Sequence, residues 1–238
     1  MQEAIVKGPR HVDLGALETG LSWPTIDSLV RTMAVRDAAT HQHARRVQRY
    51  ALALAQENEI LDVDLVEAIR EGALLHDIGK LVIPDRLLSK PGPLTPREYE
   101  VVKQHAVLGA DILAALACSG ALTLIVRHHH ENWDGSGYPD GLCGEAIPVG
   151  ARVLSIVDCY DALTSDRPYR RELSHHDAVA MICERRGTMY DPRIVDAFLR
   201  TLRGVIAVPV TGHGAEARTS DVGAQHSNPL WMIEGAAL

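Results

Sequence analysis

An adjacent histidine and aspartate stand inside an apolar segment of this 238-residue chain, at His76 and Asp77 in the run from Leu75 to Lys80. A charged or unpaired side chain is costly to bury in such a segment, and a bound metal ion would supply the missing partner. The pair alone is weak support, because any helix that ends in glycine can carry a His-Asp pair near its C-terminus. It nevertheless makes a metallohydrolase the leading hypothesis.

Further histidine and aspartate side chains fall in segments that have the pattern of buried helices. A lone histidine on such a face is usually a core residue with a satisfied ring, but that explanation accounts poorly for a set spread over several helices. Helical bundles that bind paired metal ions converge side chains of these types. Mixed imidazole and carboxylate ligands suit iron, manganese, nickel, cobalt or zinc better than calcium or magnesium. The seven candidate ligands are His43, His76, Asp77, His105, His129, His130 and Asp158.

The elements that must hold these side chains are predicted to be helices. Aromatic residues make up only 4% of the chain, while alanine, leucine and valine are abundant, which favours close-packed helices over a sheet. The strongest start signal is the capping box from Thr95 to Glu98, with Pro96 as the first helical residue. The predicted helices begin at Ser22 and then span 38–57, 64–76, 95–117, 122–131, 148–163, 175 onward and 191–203, and Ser174 is predicted to cap the helix that starts at 175.

The segment 132–148 is rich in Gly, Asp and Pro and has little periodicity, which predicts a long functional loop. Residues 22–203 are therefore expected to form one all-α catalytic domain. Residues 1–21 show no sustained period and are interpreted as a tail or the remnant of a linker. After Gly204 the composition turns to Gly, Thr, Ser and His, which predicts a mobile C-terminal tail over 204–238.

Composition excludes several classes of protein. The formal net charge of −7 argues against DNA binding and broad nucleic-acid binding. A small anionic substrate is still compatible with this charge if bound metals and nearby Arg and Lys side chains contact it. No apolar run approaches the roughly 20 residues of a membrane helix, and no signal peptide is apparent, so a cytoplasmic protein is expected. The four cysteines are widely spaced without a Cys-x-x-Cys motif, which favours packing thiols.

Two downstream blocks give the His-Asp pair its context. Residues 129–139 read His-His-Glu-Asn-Trp-Asp-Gly-Ser-Gly-Tyr-Pro, and residues 158–170 begin with Asp158 and end in Arg-Pro-Tyr-Arg. Together with the His-Asp pair, and in this order, these motifs resemble the HD-GYP domain, the cyclic di-GMP phosphodiesterase branch of the HD superfamily. The resemblance covers about 36–198. It implies an HD-superfamily helical bundle with a long loop that carries Gly-Tyr-Pro.

The resemblance also implies roles for individual residues. The seven candidate ligands would bind two metals, with Asp77 as the bridge, and Lys80 would hydrogen-bond the scissile phosphate or its attacking water. Arg167 and Arg170 would grip the phosphates of the substrate, since an arginine fork matches paired phosphate oxygens, and Asp161 is grouped with these substrate-binding residues. The alternative for the two arginines is a solvated helix end.

The Gly-Tyr-Pro segment has two interpretations. In the family this loop is linked to protein partners, so Gly137, Tyr138 and Pro139 are expected to form a partner-binding loop. The alternative is a simple tight turn. A homodimer is a further expectation.

One position departs from the family pattern. Family members that bind a third metal carry a glutamate four residues before the first ligand histidine, where it helps to recruit that metal. This chain has Ala39 at the position. His41 cannot easily replace it, because residues two apart on a helix face opposite ways. We therefore predict a binuclear site, with iron or manganese favoured. The remaining histidines considered, expected at the surface or behind the ligands, are His41, His128, His175 and His176.

The predicted reaction is hydrolysis of cyclic di-GMP to linear pGpG, with slow or absent cleavage onward to GMP. One alternative is a cyclic-dinucleotide sensor or scaffold that hydrolyses little, whose mark would be lost ligands. Another is a phosphodiesterase that acts on 3′,3′-cGAMP, and little in the sequence argues against this substrate. The Gly-Tyr-Pro loop and the Arg167 segment argue against a fourth reading, an HD di-iron oxygenase or a nucleotidase.

Overall fold

A computed structural model describes residues 21–36, 38–166 and 171–206, and within these ranges the chain is helical and contains no β-strand. The prediction of an all-α fold is confirmed. The segments 1–20 and 207–238 lie outside the described residues, and with them most of both predicted tails. The helices are α1 (Trp23–Arg36), α2 (Ala38–Glu57), α3 (Val63–Leu75), α4 (Asp85–Leu88), α5 (Pro96–Ala115), α6 (Gly120–His128), α7 (Val149–Leu163), α8 (His175–Glu184) and α9 (Pro192–Ile206).

Two helices occupy the centre of the bundle. α2 packs against α1, α3, α7 and α9, and its buried alanines Ala44, Ala51 and Ala55 let these neighbours approach closely. α7 is buried almost all round, as expected of a helix that is apolar on every face. Because α7 also carries Asp158 and Asp161, the fold places two carboxylates inside its core.

Helix starts follow the capping signals in the sequence. The Thr95 hydroxyl accepts the N–H of Glu98, and the Glu98 carboxylate accepts the N–H of Thr95, so the predicted capping box at the start of α5 is confirmed. Ser174 accepts the N–H of Asp177 at the start of α8, which the sequence also predicted. Such caps satisfy N–H groups that have no partner within the helix.

Three helix ends fall earlier than predicted. α5 ends at Ala115, two residues early. α3 ends at Leu75 and α6 at His128, so the expectation that His76, His129 and His130 lie inside helices is wrong. These residues form the turns that directly follow the two helices. After His76 and Asp77 the chain continues as a short 3₁₀ helix, Ile78–Val82.

The 3₁₀ helix presses directly on α5. Gly79 lies against the main chain of His105 and Gly109, where a Cβ atom would overlap the backbone. A glycine is required there because only a residue without a side chain permits this approach. The contact brings Asp77 to within 3.7 Å of His105.

No described helix has the length and apolar character needed to cross a membrane. None of the four cysteines forms a disulfide with another. Cys159 is buried, as predicted for a packing thiol, whereas Cys143 and Cys183 are exposed, so for these two the prediction is wrong.

Candidate metal centre

Three metal-ligand side chains from separate parts of the chain converge in what we term the first triad, His43, His76 and Asp158. His43 comes from α2, His76 from the turn after α3 and Asp158 from α7, and their ligand atoms lie within 4.8 Å of one another. Asp158 Oδ1 is 3.1 Å from His43 Nε2 and 3.7 Å from His76 Nε2. Two imidazoles and one carboxylate thus face a common point.

Three further histidines form the second triad, His105, His129 and His130. Their ligand atoms also lie within 4.8 Å of one another. His105 Nε2 is 3.4 Å from His129 Nε2 and 3.2 Å from His130 Nε2. Three ring nitrogens at this spacing, two of them on fully buried rings, form a donor set that suits a transition metal.

Asp77 lies between the two triads. Its Oδ2 atom is 3.5 Å from His76 Nε2, and its Oδ1 atom is 3.7 Å from His105 Nε2. The Lys80 ammonium donates a 2.9 Å hydrogen bond to Oδ2. One carboxylate oxygen therefore faces each triad, which is the arrangement that a bridging ligand requires.

Polar atoms at the centre lack hydrogen-bond partners among the described residues. Although His43 is close to Asp158, the contact does not have hydrogen-bond geometry. Buried polar atoms without a partner cost free energy, so native structures seldom retain them without a functional reason. A pair of divalent metals would satisfy these atoms, and the mixed nitrogen and oxygen donors fit such ions. The buried atoms concerned are His76 Nε2, Asp77 Oδ1 and Asp158 Oδ1.

Backbone carbonyls orient three of the ligand histidines. In each case Nδ1 contacts the carbonyl three residues earlier, and an imidazole that donates from Nδ1 leaves the lone pair of Nε2 for a metal. Two of these carbonyls belong to the last turn of a helix, where such groups lack helical partners. The contacts are His76 to Ala73 at 3.2 Å, His105 to Val102 at 2.8 Å and His129 to Val126 at 2.7 Å.

Burial keeps the second triad neutral. Loss of solvation lowers the pKa of His105 to about 4 and the pKa of His129 to about 3, and it holds the pKa of His130 well below its usual value. The neighbouring imidazoles of the triad lower the pKa of His129 and His130 further. All three rings are therefore uncharged at neutral pH, which is the form that binds metal.

The carboxylates at the centre are ionised. Burial raises the pKa of Asp77, but Lys80, His76 and His105 outweigh it and hold that pKa well below the ordinary value. Burial likewise raises the pKa of Asp158, but the neighbouring His43 and His76 outweigh burial and lower this pKa to about 2. The centre thus combines the neutral imidazoles of the second triad with charged carboxylates at Asp77 and Asp158.

His43 has a different environment from the other ligand histidines. Its Nδ1 is 2.7 Å from Asp161 Oδ2, and Arg46 donates to both oxygens of Asp161 at 2.6 and 2.9 Å. Burial lowers the pKa of His43, but Asp158 and Asp161 outweigh it and raise the pKa to about 9. Asp161 lies buried behind His43, which favours a role in holding that ring over the substrate contact expected from sequence.

The loop after His130 is anchored by side chains that sequence reasoning did not assign. The buried Glu131 carboxylate accepts the N–H groups of Asp140 at 2.7 Å and Leu142 at 3.1 Å. Arg127 donates to both oxygens of Asp140, and His128 Nε2 lies 2.9 Å from it. His128 is buried and contacts this loop. The available signals were the acidic residues Glu131, within the motif at 129–139, and Asp140, directly after it.

The Gly-Tyr-Pro segment folds back over the second triad. The Tyr138 ring stacks on the His130 ring with 4.8 Å between centroids, and the Tyr138 N–H donates to the His130 carbonyl. Gly137 lies against the main chain of residues 130–132, where a Cβ atom would overlap it. The peptide bond between Tyr138 and Pro139 is cis.

The remaining candidate residues lie either outside the two triads or outside the described residues. Arg167 and Arg170 lie outside the described residues. Ala39 lies in α2, one turn before His43. His175 contacts the Tyr160 hydroxyl at 2.7 Å, and His176 is exposed on α8.

Comparison with characterised sequences finds relatives among cyclic-dinucleotide phosphodiesterases. A probable cyclic di-GMP phosphodiesterase of Vibrio cholerae is 41% identical over 187 residues, covering 72% of this chain and 42% of the relative. The cyclic di-GMP phosphodiesterase response regulator RpfG of Xanthomonas campestris is 43% identical, covering 74% of this chain and 47% of the relative. A 3′3′-cGAMP-specific phosphodiesterase of V. cholerae is 37% identical, covering 68% and 35%. The chain spans less than half the length of each.

A solved structure shares the fold. A cyclic GMP-AMP-specific phosphodiesterase of V. cholerae superposes with a TM-score of 0.59 at 18% identity, covering 75% of this chain and 48% of that one. The sequence profile of the HD domain matches residues 28–194, which include all seven candidate ligands. The profile match and the two converging triads establish that this chain belongs to the HD domain family, as the resemblance of its motifs indicated.

Proposed function

We propose that this chain is a metal-dependent phosphodiesterase that hydrolyses cyclic di-GMP to linear pGpG. The observation that carries the proposal is the pair of buried triads with Asp77 between them, because it provides sites for two metals that share one carboxylate. The names of the relatives at 41% and 43% identity support the choice of substrate.

The chemistry divides between the metals and the protein. A pair of bound divalent metals supplies a hydroxide nucleophile at neutral pH and positive charge to offset that of the phosphodiester. The imidazoles of the second triad stay neutral because of their burial, and Asp77 stays ionised because of Lys80 and the adjacent histidines. These protonation states keep the ligand atoms available across the physiological pH range.

Lys80 is the proposed cationic catalytic residue. Its ammonium is partly exposed and lies 2.9 Å from Asp77 Oδ2, so it is held beside the bridging carboxylate. From there it can donate to a phosphate oxygen or to the attacking water. Arg167 and Arg170 are proposed to bind the substrate phosphates, on the strength of the sequence motif alone.

The number of metals is proposed to be two, with iron or manganese favoured and nickel, cobalt or zinc also suited to the donors. Ala39, one turn before His43 in α2, has no side-chain atom that could bind a third metal, and this supports a count of two. We therefore expect pGpG to accumulate, with little cleavage to GMP. Binding of a protein partner through residues 137–139, a homodimer and a cytoplasmic location remain predictions of this proposal.

The cGAMP alternative concerns the same centre. A relative at 37% identity is named for 3′3′-cGAMP, and the two triads would serve either substrate equally. Parallel assays with the two nucleotides at equal concentration decide between them. The sensor alternative is less well supported, because the described ligands converge and none is missing.

The decisive experiment purifies the protein anaerobically, measures its metal content and assays cyclic di-GMP with Asp77→Ala beside the wild type. We expect at least about a 10³-fold loss of rate, because the ligand shared by both metals is removed. Glu145→Gln, an exposed carboxylate paired with Arg193, is the control and should keep full activity. Unchanged activity in Asp77→Ala would refute the mechanism, and rapid formation of GMP without pGpG would refute the two-metal count.

A further inference from the structure

His43 differs from the other oriented ligand histidines in the group that receives its Nδ1 proton. The three others described above donate to backbone carbonyls, whereas His43 Nδ1 faces the Asp161 carboxylate at 2.7 Å. A carboxylate acceptor makes an imidazole a stronger ligand than a carbonyl does, because it stabilises the positive charge that the ring acquires when Nε2 binds a metal.

Asp161 is itself held in a fixed orientation. Arg46 donates from Nε to Oδ1 at 2.6 Å and from Nη2 to Oδ2 at 2.9 Å, and the same Nη2 donates to the Ser165 hydroxyl at 3.0 Å. Such a two-point arginine contact fixes both the position and the plane of a carboxylate. The Asp161 side chain is buried, while Arg46 is partly exposed at the edge of the bundle.

The arrangement repeats on the two central helices. His43 and Arg46 stand three residues apart on α2, and Asp158 and Asp161 stand three residues apart on α7, so each helix presents both members on one face. The ligand pair and the supporting pair therefore lie in successive layers where α2 packs on α7. Asp161 thus links the ligand layer to Arg46.

The two triads consequently differ in charge. The first triad contains the Asp158 carboxylate and has the Asp161 carboxylate behind it, whereas the second triad consists of three imidazoles. Asp77 is common to both, so it does not distinguish them. A dication is held more strongly where ligands and their supporting groups carry negative charge.

We propose that Asp161, clamped by Arg46, is a positioning residue that makes the first triad the tighter of the two metal sites. The inference rests on the two-metal centre of the proposed function, but it concerns the order and strength of metal binding and needs no substrate. It assigns Asp161 and Arg46 a role that acts through His43.

The test titrates metal-free protein with Mn²⁺, and in parallel with Co²⁺, by calorimetry. Two binding steps are expected in the wild type. His43→Ala should remove the tighter step and His129→Ala the weaker one, which assigns each step to a triad. Asp161→Asn should weaken the tighter step by about 10- to 100-fold and leave the weaker one unchanged. Arg46→Gln should act in the same direction, and the double variant should bind no more weakly than Asp161→Asn alone.

The matched control is Asp196→Asn, which removes the charge from another carboxylate that Arg186 contacts with two nitrogens, at the surface and outside the centre. It should leave both steps unchanged. If Asp161→Asn does not fold, Arg46→Gln and Arg46→Lys carry the comparison, and lysine should restore part of the affinity that glutamine loses.

A spectroscopic measurement separates positioning from general stability. In the Co²⁺ form, the Nδ1 protons of ligand histidines give shifted resonances, and Asp161→Asn should move or broaden one of them and leave the rest in place. Equal weakening of both steps, an unchanged tighter step or a single binding step in the wild type would each overturn the inference. Failure to hydrolyse cyclic di-GMP would refute the proposed function and leave these binding results unaffected.

Discussion

The two triads are built in different ways. The first triad unites residues 43, 76 and 158, which come from distant parts of the chain and meet only where α2, α3 and α7 pack together. The second triad uses residues 105, 129 and 130, and two of these lead directly into the loop 132–148. The first triad therefore depends on the packing of the bundle, and the second depends in addition on the anchoring of one loop.

The two triads also differ in the groups that surround them. Around the first triad, carboxylates and an arginine form charged pairs between helices. Around the second, backbone carbonyls and the stacked Tyr138 ring hold the imidazoles. Substitutions that disturb packing should affect both triads, whereas substitutions in the loop should affect the second alone.

The largest effect is expected from Gly79→Ala, which lies where the 3₁₀ helix meets α5. The added Cβ would overlap the main chain of His105 and Gly109, and backbone cannot move aside as a side chain can. We expect the free energy of unfolding to fall by more than about 3 kcal/mol, measured by urea denaturation. Both metal-binding steps should weaken together.

Gly120→Ala is the control for this substitution. Gly120 is the first residue of α6, and no atom stands within 4 Å of a Cβ built there. Its stability should equal or slightly exceed that of the wild type, since alanine favours a helix. A Gly79→Ala protein as stable as Gly120→Ala would contradict the close contact.

Gly137→Ala should affect the second triad more than the first. Its Cβ would overlap the main chain at Glu131 and Asn132, so the Gly-Tyr-Pro segment must shift away from His130. We expect a loss of about 1–3 kcal/mol in unfolding free energy and a weaker metal step at the second triad, measured by calorimetry. The step at the first triad should keep its affinity. Equal weakening of both steps would show that the loop supports the whole centre.

Glu131→Gln should loosen the loop with a smaller effect. The Glu131 carboxylate accepts two backbone N–H groups, and an amide can offer only one acceptor oxygen to them. We expect a cost of about 1–3 kcal/mol, with faster hydrogen exchange at Asp140 and Leu142. Glu145→Gln, a similar change on an exposed side chain, should leave exchange at these amides unchanged.

The smallest effect is a pH dependence at Asp140. The Arg127 contact lowers the pKa of Asp140 to about 2, aided by His128, from an ordinary value of 3.8. A lowered folded-state pKa stabilises the fold above the ordinary pKa and stops doing so as the pH falls towards the folded-state value. The stability difference between metal-free wild type and Asp140→Asn should therefore stay constant above about pH 5 and narrow between about pH 4 and 2. A difference independent of pH would contradict the ion pair.

The local features of this chain were predictable from sequence. The capping box at Thr95, the cap at Ser174 and the all-α pattern depend on residues close together in the chain, and the structure confirms them. The ends of α3 and α6 were placed too late, because the apolar pattern continues through the turns. Those turns are fixed by contacts that have no local signal, such as that of Gly79 with α5.

The contacts of Asp161 could not be predicted from the sequence. Its spacing from Asp158 places both on one face of α7, but the sequence does not say which side chains of another helix they meet. Only the packing of α2 on α7 brings His43 and Arg46 to them. Glu131 in the motif and Asp140 directly after it were likewise visible, yet their contacts depend on how the loop folds.

The sequence by itself determined which side chains are candidate metal ligands, the all-α class and the family to which the chain belongs, because these follow from residue type, local periodicity and the order of the motifs. The tertiary structure decided how the candidate ligands divide into two triads, that Asp77 stands between them, and that Asp161 contacts His43. The physical reason is that periodicity fixes the face on which a side chain lies, whereas its partner is chosen by the packing of helices distant in the chain.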